Sequence, residues 1–167
     1  DLAEWKADRG SLRRQDAPPS ASFEQAMDVL RRLGAVDANG RATEHGRQVA
    51  RLPLHPRLGH MVVKGKALGL GSLACVIAAL LEERDIFKAG PDEKSSDIRP
   101  RIEAVAGRGY EGFMMDRAVV ERVRASARKI EKRLNIKNEP VDVDMSGMLL
   151  ALAYPDRIGK KREGSAG

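Results

Sequence analysis

Three histidines, one cysteine, an adjacent pair of glutamates and a set of close glycines are the residues of this 167-residue chain whose types could carry chemistry. Their spacing argues against each chemistry in turn. His55 and His60 are five apart and do not share a helix face as an i, i+4 metal pair would. With His45 they read as packing or capping residues, and no metal site is expected. Cys75 lies inside the apolar run Leu73 to Leu81, whereas a reactive thiol needs an electropositive, partly exposed setting. It reads as a small buried hydrophobe. There is no Gly-x-Ser-x-Gly elbow and no Cys-x-x-Cys pair, so acyl transfer and thiol redox chemistry have no carrier. Gly107, Gly109 and Gly112 follow no strand and lead to no Lys-Ser or Lys-Thr pair, which makes them a flexible loop rather than a phosphate cradle. Glu82 and Glu83 sit beside Arg84 and read as solvated or ion-paired. No catalytic residue is expected.

What remains is charge. The formal net charge of +6 and pI of about 9.7 suit an anionic partner, although dispersed cations on solvated helix faces give the same totals. The longest helical pattern, Asp116 to Asn135, allows the cations to be sorted by face at about 100° per residue. With Val120, Val123, Ala127, Ile130 and Leu134 turned inward, two basic flanks remain. On one, Arg117, Arg124 and Arg128 alternate with Glu121 and Glu131 at three- and four-residue spacing, a self-paired solvated surface. On the other, Arg122, Lys129 and Arg133 form a row with no acid between them. That row is either a solubilising face or the path of a nucleic-acid strand whose phosphates supply the missing negative partners. Arg157, Lys160 and Lys161 form a second basic group near the end of the chain.

The elements that position these groups are mainly helical, because aromatic content is only 4% and Leu, Ala, Val and Met supply the core alongside charged helix formers. Arg51 to Asp85 reads as two central helices. Pro56 suits a first turn, and Leu58, Met61, Val62 and Leu68 recur on one face to be buried. Gly69 and Gly71 end this helix and Ser72 caps the next, whose Leu73 to Leu81 run should be enclosed on all sides. Nine residues are too few to span a bilayer, which takes about twenty. Upstream, Asp1 caps a short helix carrying Trp5 as a core anchor. Ser22 and Gln25 form a capping box for a helix bearing Phe23, Ala26, Met27, Leu30 and Leu33, stopped by Gly34. Ala35-Val36 and Arg41-Ala42 flank an Asn-Gly turn as a small hairpin, and Thr43 caps a helix with Val49 and Ala50 inward. Helix, hairpin and helix outline a winged-helix domain over residues 1–70. Downstream, Ser96 or Asp97 caps a helix bearing Ile98, Ile102 and Val105, and a last helix runs from about Met145 to Ala153. One cysteine permits no internal disulfide, and with no signal peptide or membrane segment the expected setting is a reducing one, the cytoplasm. The missing initiator Met and the Gly164-Ser165-Ala166-Gly167 end suggest a piece of a longer protein, with 163–167 a disordered tail.

Leu33-Gly34-Ala35-Val36-Asp37, Gly40, Thr43, Gly46-Arg47, Ala50 and Leu52-Pro53-Leu54-His55-Pro56-Arg57-Leu58, with Ala79 to Asp85 and Leu149 to Ile158, resemble the winged-helix and helicase-associated region of DEAH-box RNA helicases. Within that group the resemblance is to the HrpB-type bacterial ATP-dependent helicases. It implies a helical ratchet domain over 71–162, packed on the winged helix and against two RecA-like motor domains that lie outside this chain. It also implies that ATP and Mg bind in those motors, that this chain holds no cofactor, and that the nucleic acid is single-stranded RNA, with DNA as the alternative. The wider group carries a Gly-Asp-His element before the first ratchet helix. Ser96-Asp97-Ile98 stands in that place, and only Asp97 carries over. Two other readings compete: a free-standing winged-helix regulator of duplex DNA, for which residues 44–51 offer Arg47 and Arg51 with Glu44 among them, and a helical protein-interaction module.

Overall fold

Pro19 opens the first helix of the computed structural model, which describes residues 19–83, 85–87, 97–108, 114–137 and 139–157. The readings that concern Asp1, Trp5, Ser96, Gly109, Gly112, Lys160, Lys161 and 163–167 lie outside those residues. Among the described residues there are seven α-helices: α1 Pro19–Arg32, α2 Glu44–Ala50, α3 Pro56–Ala67, α4 Gly71–Glu82, α5 Arg99–Val105, α6 Arg117–Leu134 and α7 Ser146–Ala153. Short 3-10 turns at Val143–Met145 and Pro155–Arg157 flank α7. The fold is mainly α, a winged helix with a small hairpin packed on a helical bundle.

The expected capping box does not form at the head of α1. The helix begins three residues earlier, at a proline whose missing N–H is no loss in a first turn, so Ser22 lies inside it. At its other end Gly34 takes φ +68°, and Ala35 N donates to Leu30 O at 2.9 Å across the turn. The hairpin is a single bridge, Val36 to Ala42. Asp37 builds its turn: the carboxylate accepts from Asn39 N and Arg41 N, each at 2.9 Å, and Gly40 supplies the left-handed step at φ +75°. Thr43 then ties wing to helix. Its Oγ1 donates to Gly34 O at 2.6 Å and accepts from Gly46 N at 3.0 Å, capping α2 as expected.

The centre is α4, which lies against both α3 and α6 while α7 covers α3. Leu73, Ala74, Cys75, Ile77 and Ala78 are wholly buried, and burying each large side chain contributes about 1.5–3 kcal/mol. The enclosure stops short of the expected end, because Leu81 is 42% exposed. It lies on the last turn of α4 next to Glu82 and Glu83, where a helix has neighbours on fewer sides. Leu68 is a second correction. It is the C-cap of α3, beyond the last turn that faces the core, and is 56% exposed. A third concerns the start of α4. Ser72 is buried in the first turn and caps nothing; the N-cap position is Leu70, without a side-chain bond. The carboxylate of Glu139 takes that role from 67 residues away, accepting from Gly71 N and, at 3.3 Å, from Ser72 N. An anionic acceptor at orphan N–H groups satisfies them and complements the helix dipole.

Arg57, in the first turn of α3, is paired with Asp156, in the turn after α7. The guanidinium donates to both carboxylate oxygens at 2.6 and 3.1 Å and to Ala153 O at 3.2 Å, and lies 5.3 Å from the Tyr154 ring centre. The segments 52–58 and 149–157 therefore meet in space. At the far side Arg101 holds Asp85 at 2.7 Å and Asp97 O at 2.7 Å, beside a bridge from Phe87 to Met115 that the sequence does not announce.

Candidate nucleic-acid interface

Asp116 caps α6 by accepting from Ala118 N at 3.1 Å and Val119 N at 3.3 Å, and Asn135 ends it in the left-handed conformation at φ 53°. Between them Val119, Val120, Val123, Ala127 and Ile130 are buried, so the two basic flanks are presented as the helical period requires. The flanks differ from expectation in two places. Arg124 is not part of a solvated surface. Besides Glu121 at 2.5 Å it donates to Val105 O at 2.8 Å and Ala104 O at 3.4 Å, tying α6 to the end of α5. On the other flank Arg122 does meet an acid, Glu83, with Nε 3.4 Å from its carboxylate. That acid arrives from the end of α4, and no spacing within α6 could reveal it.

Lys129 and Arg133 continue the row, both exposed. Arg133 reaches the rim of a cleft of about 510 Å³ between α2, α3 and α6. Leu52, Val63, Ala67 and Leu134 form its walls, and Gln48, Arg51, Lys66 and Arg133 its polar edge. Arg133 Nη1 lies 3.5 Å from Arg51 O. Lys66 is a residue that sequence reasoning missed, since a basic residue in the last turn of α3 reads simply as a complement to the helix dipole. In the sequence Arg51 reads only as part of a duplex-reading helix. That reading loses ground here, because Arg47, the other cation of α2, is engaged with Glu44 at 3.2 Å.

Two of the other sequence-predicted residues have partners of their own. Asp97 holds Arg99, with Nη2 at 2.8 Å, and the Arg99 guanidinium keeps its carboxyl below the usual carboxylate range. Arg157 lies over the Tyr154 ring at 5.0 Å. Lys160 and Lys161 are outside the described residues.

Two other sequence-flagged groups are structural. Cys75 is wholly buried, and burial, reinforced by Glu131 and Glu139, pushes its thiol up to about 12. His55 caps α3, its Nδ1 accepting from Arg57 N at 3.2 Å. His45 Nε2 and His60 Nδ1 share a hydrogen bond of 2.7 Å that joins α2 to α3. One ring donates and the other accepts, so the accepting ring is neutral, and burial lowers the pKa of both. Among the described residues no three His, Cys, Asp or Glu side chains cluster as a metal site would require.

The histidine pair makes stability pH-dependent. Burial, then His45, then Lys64 lower the pKa of His60 to about 4, and burial with Lys64 lowers that of His45. The unfolded chain therefore binds more protons than the folded one between its ordinary histidine pKa near 6.5 and about 4. Stability is complete above that window and is lost as pH falls through it. Circular dichroism melts should show the melting temperature dropping across the window, and His60→Gln should flatten the drop. A wild-type melt constant over the same range would contradict the neutral pair.

With the geometry in hand, comparison with known proteins places the fold. Residues 26–54 match the family model for the winged-helix helicase-associated domain, HA2, and the chain as a whole is similar to the helicase-associated regions of DEAH-box helicases. Among these the likeness is to HrpB. The chain is 29% identical over 163 residues to the ATP-dependent RNA helicase HrpB of Escherichia coli K12, covering 97% of this chain and 18% of that protein. It is 35% identical over 83 residues to the human probable ATP-dependent RNA helicase DHX35, 49% of this chain and 12% of that protein. The crystal structure of Escherichia coli DEAH/RHA helicase HrpB superposes with a TM-score of 0.63 at 28% identity, over 85% of this chain and 16% of that one. The chain thus spans less than a fifth of the length of these relatives. No helix of the described residues is long and apolar enough to cross a membrane.

Proposed function

We propose that this chain is the accessory, strand-guiding part of an ATP-dependent RNA helicase. Single-stranded RNA runs along the Arg122, Lys129 and Arg133 face of α6, and the winged helix and bundle transmit the closure of two RecA-like motor domains of the same protein. ATP and Mg belong to those motors, and the residues of this chain contribute positioning and charge. The winged helix takes residues 1–70 and the ratchet-like bundle 71–162, with Arg57 and Asp156 fastening one to the other so that force on the bundle reaches the wing. DNA as the strand is the alternative substrate.

The observation that carries this reading is the face of α6 itself. Lys129 and Arg133 are exposed and end at a cleft edged by two further cations, an arrangement that favours a chain of phosphates over a single small anion. Strand binding through such contacts releases counterions, so the logarithm of affinity falls linearly with that of salt, by about 0.7 per phosphate contact on a single strand. Fluorescence anisotropy of a labelled oligouridylate at several salt concentrations measures that slope. A slope of about two or more is expected. Affinity insensitive to salt, or no binding at low salt, would remove the reading.

A further inference from the structure

We propose that the cleft between α2, α3 and α6 seats one nucleotide unit of the strand, its phosphate held by Arg51, Lys66 and Arg133 and its sugar and base lying on Leu52, Val63 and Leu134. This rests on the strand-guiding role above and gives it a definite site. The three cations come from three elements, the C-cap of α2, the last turn of α3 and the last turn of α6. Among the described residues no acid lines the cleft, so none of them answers the charge of the three cations. Gln48 adds a neutral amide able to donate or accept. A volume of about 510 Å³ falls within the range of small-ligand sites, roughly 300–1,000 Å³, and the apolar walls suit the body of a nucleotide better than a bare phosphate ion.

An acidic peptide could also satisfy cations above an aliphatic wall. The nucleotide is favoured because the cleft continues the α6 row: Arg133 is one turn beyond Lys129, about 6 Å along the axis, so one strand can lie on the row and enter the cleft. Occupancy has a second consequence. A phosphate binding three elements at once stabilises their packing, and a ligand that binds only the folded state raises the melting temperature.

The test measures oligouridylate binding to the chain and to its Arg51→Glu and Lys66→Glu variants, with Arg117→Glu and Arg128→Glu as controls on the opposite flank of α6. All four positions are exposed, and melts confirm that each variant folds. Each cleft reversal should weaken binding about tenfold and lower the salt slope by about 0.7, as loss of a phosphate contact on a single strand does; each control should change affinity by less than about threefold. Lys66→Arg should restore wild-type affinity. Acetylation of the wild-type chain gives a reading that needs no variant: bound oligouridylate should protect Lys66 and leave Lys132 reactive. Equal losses in cleft and control variants, or an unprotected Lys66, would overturn the cleft while leaving strand binding in place. Polyglutamate protecting Lys66 at lower concentration than the oligonucleotide would make this a protein-docking face instead. Protection by uridine monophosphate equal to that by the oligonucleotide would mean a free-nucleotide site and overturn the strand assignment. Absence of any wild-type binding would overturn both proposals.

Discussion

Gly46→Ala removes the cooperative unfolding transition of the chain, or lowers its midpoint by roughly 6–20 °C. A Cβ at this position would lie 1.9 Å from Ala35 O, 2.8 Å from Ala35 C and 3.0 Å from Ala35 Cα. All three are backbone atoms, so no side chain can swing aside, and the first turn of α2 must move off the wing. That movement breaks the bonds from Thr43 N to Ala35 O at 3.0 Å and between Thr43 Oγ1 and Gly34 O at 2.6 Å. Overpacking costs about 1–3 kcal/mol and each lost hydrogen bond about 1. A loss of roughly 3–5 kcal/mol is a large part of a total near 5–15, and each kcal/mol is about 2–4 °C at this chain length. Gly34→Ala is the comparison. Its φ of +68° makes it strained, but nothing lies within 4 Å of the added carbon, so it should cost about 1–2 kcal/mol. Equal melts for the two variants would show that close approach at Ala35 is not what selects glycine at 46.

Ile77→Asp unfolds the chain, whereas Leu81→Asp leaves the melt within a few degrees of wild type. The residues are one turn apart in the same apolar run. Ile77 is wholly buried and Leu81 is 42% exposed, so only the first substitution places a carboxylate where it cannot be solvated. A buried unpaired charge costs several kcal/mol even after its pKa shifts, while an exposed change on a final turn stays near 0.5. Far-ultraviolet circular dichroism of both variants decides it. Unfolding by Leu81→Asp would show that the last turn of α4 is covered.

The contrast between those two leucine-run positions also shows what the sequence could convey. The apolar run, the proline at the head of α3 and the Thr43 cap are local, and local chemistry is legible: each depends on neighbours a few positions apart. The same holds for the wing, where Asp37 and Gly40 form the turn and Gly34 ends the helix before it. What the run could not convey was where its neighbours end. Leu68 and Leu81 keep the helical period but lie past the last covered turn, and exposure there is a property of other elements. The cap of α4 failed for the same reason. Ser72 is the right residue type near the right place, but Glu139 reaches the free N–H groups from another part of the chain.

The candidate site divides along the same line. The stripe and two flanks of α6 follow from 100° per residue, and the row Arg122, Lys129 and Arg133 was legible as a row. Its surroundings were not. Glu83 approaches Arg122 and the Val105 carbonyl takes Arg124 only once α4 and α5 have packed against α6. Arg51 and Lys66 join Arg133 across 82 and 67 residues of chain. The motifs that carry the resemblance are structural devices: Gly34, Thr43 and Gly46 build the wing, and Arg57 with Asp156 ties the start of α3 to the turn after α7.

The central claim, that one face of α6 carries the strand, is tested most directly by paired charge reversal at matched ionic strength. Arg122→Glu with Lys129→Glu is compared with Arg117→Glu with Arg128→Glu, both adding the same net charge. Arg124 is unsuitable as a control because its bonds to the Ala104 and Val105 carbonyls hold α5 in place. Arg122 is suitable, since its ion pair with Glu83 is exposed on the arginine side, and such pairs contribute at most about 1 kcal/mol. The first double variant should bind oligouridylate at least about tenfold more weakly than the second while both melt like wild type. Equal losses from the two pairs would mean that total charge alone governs binding, and the α6 face would not be the path of the strand.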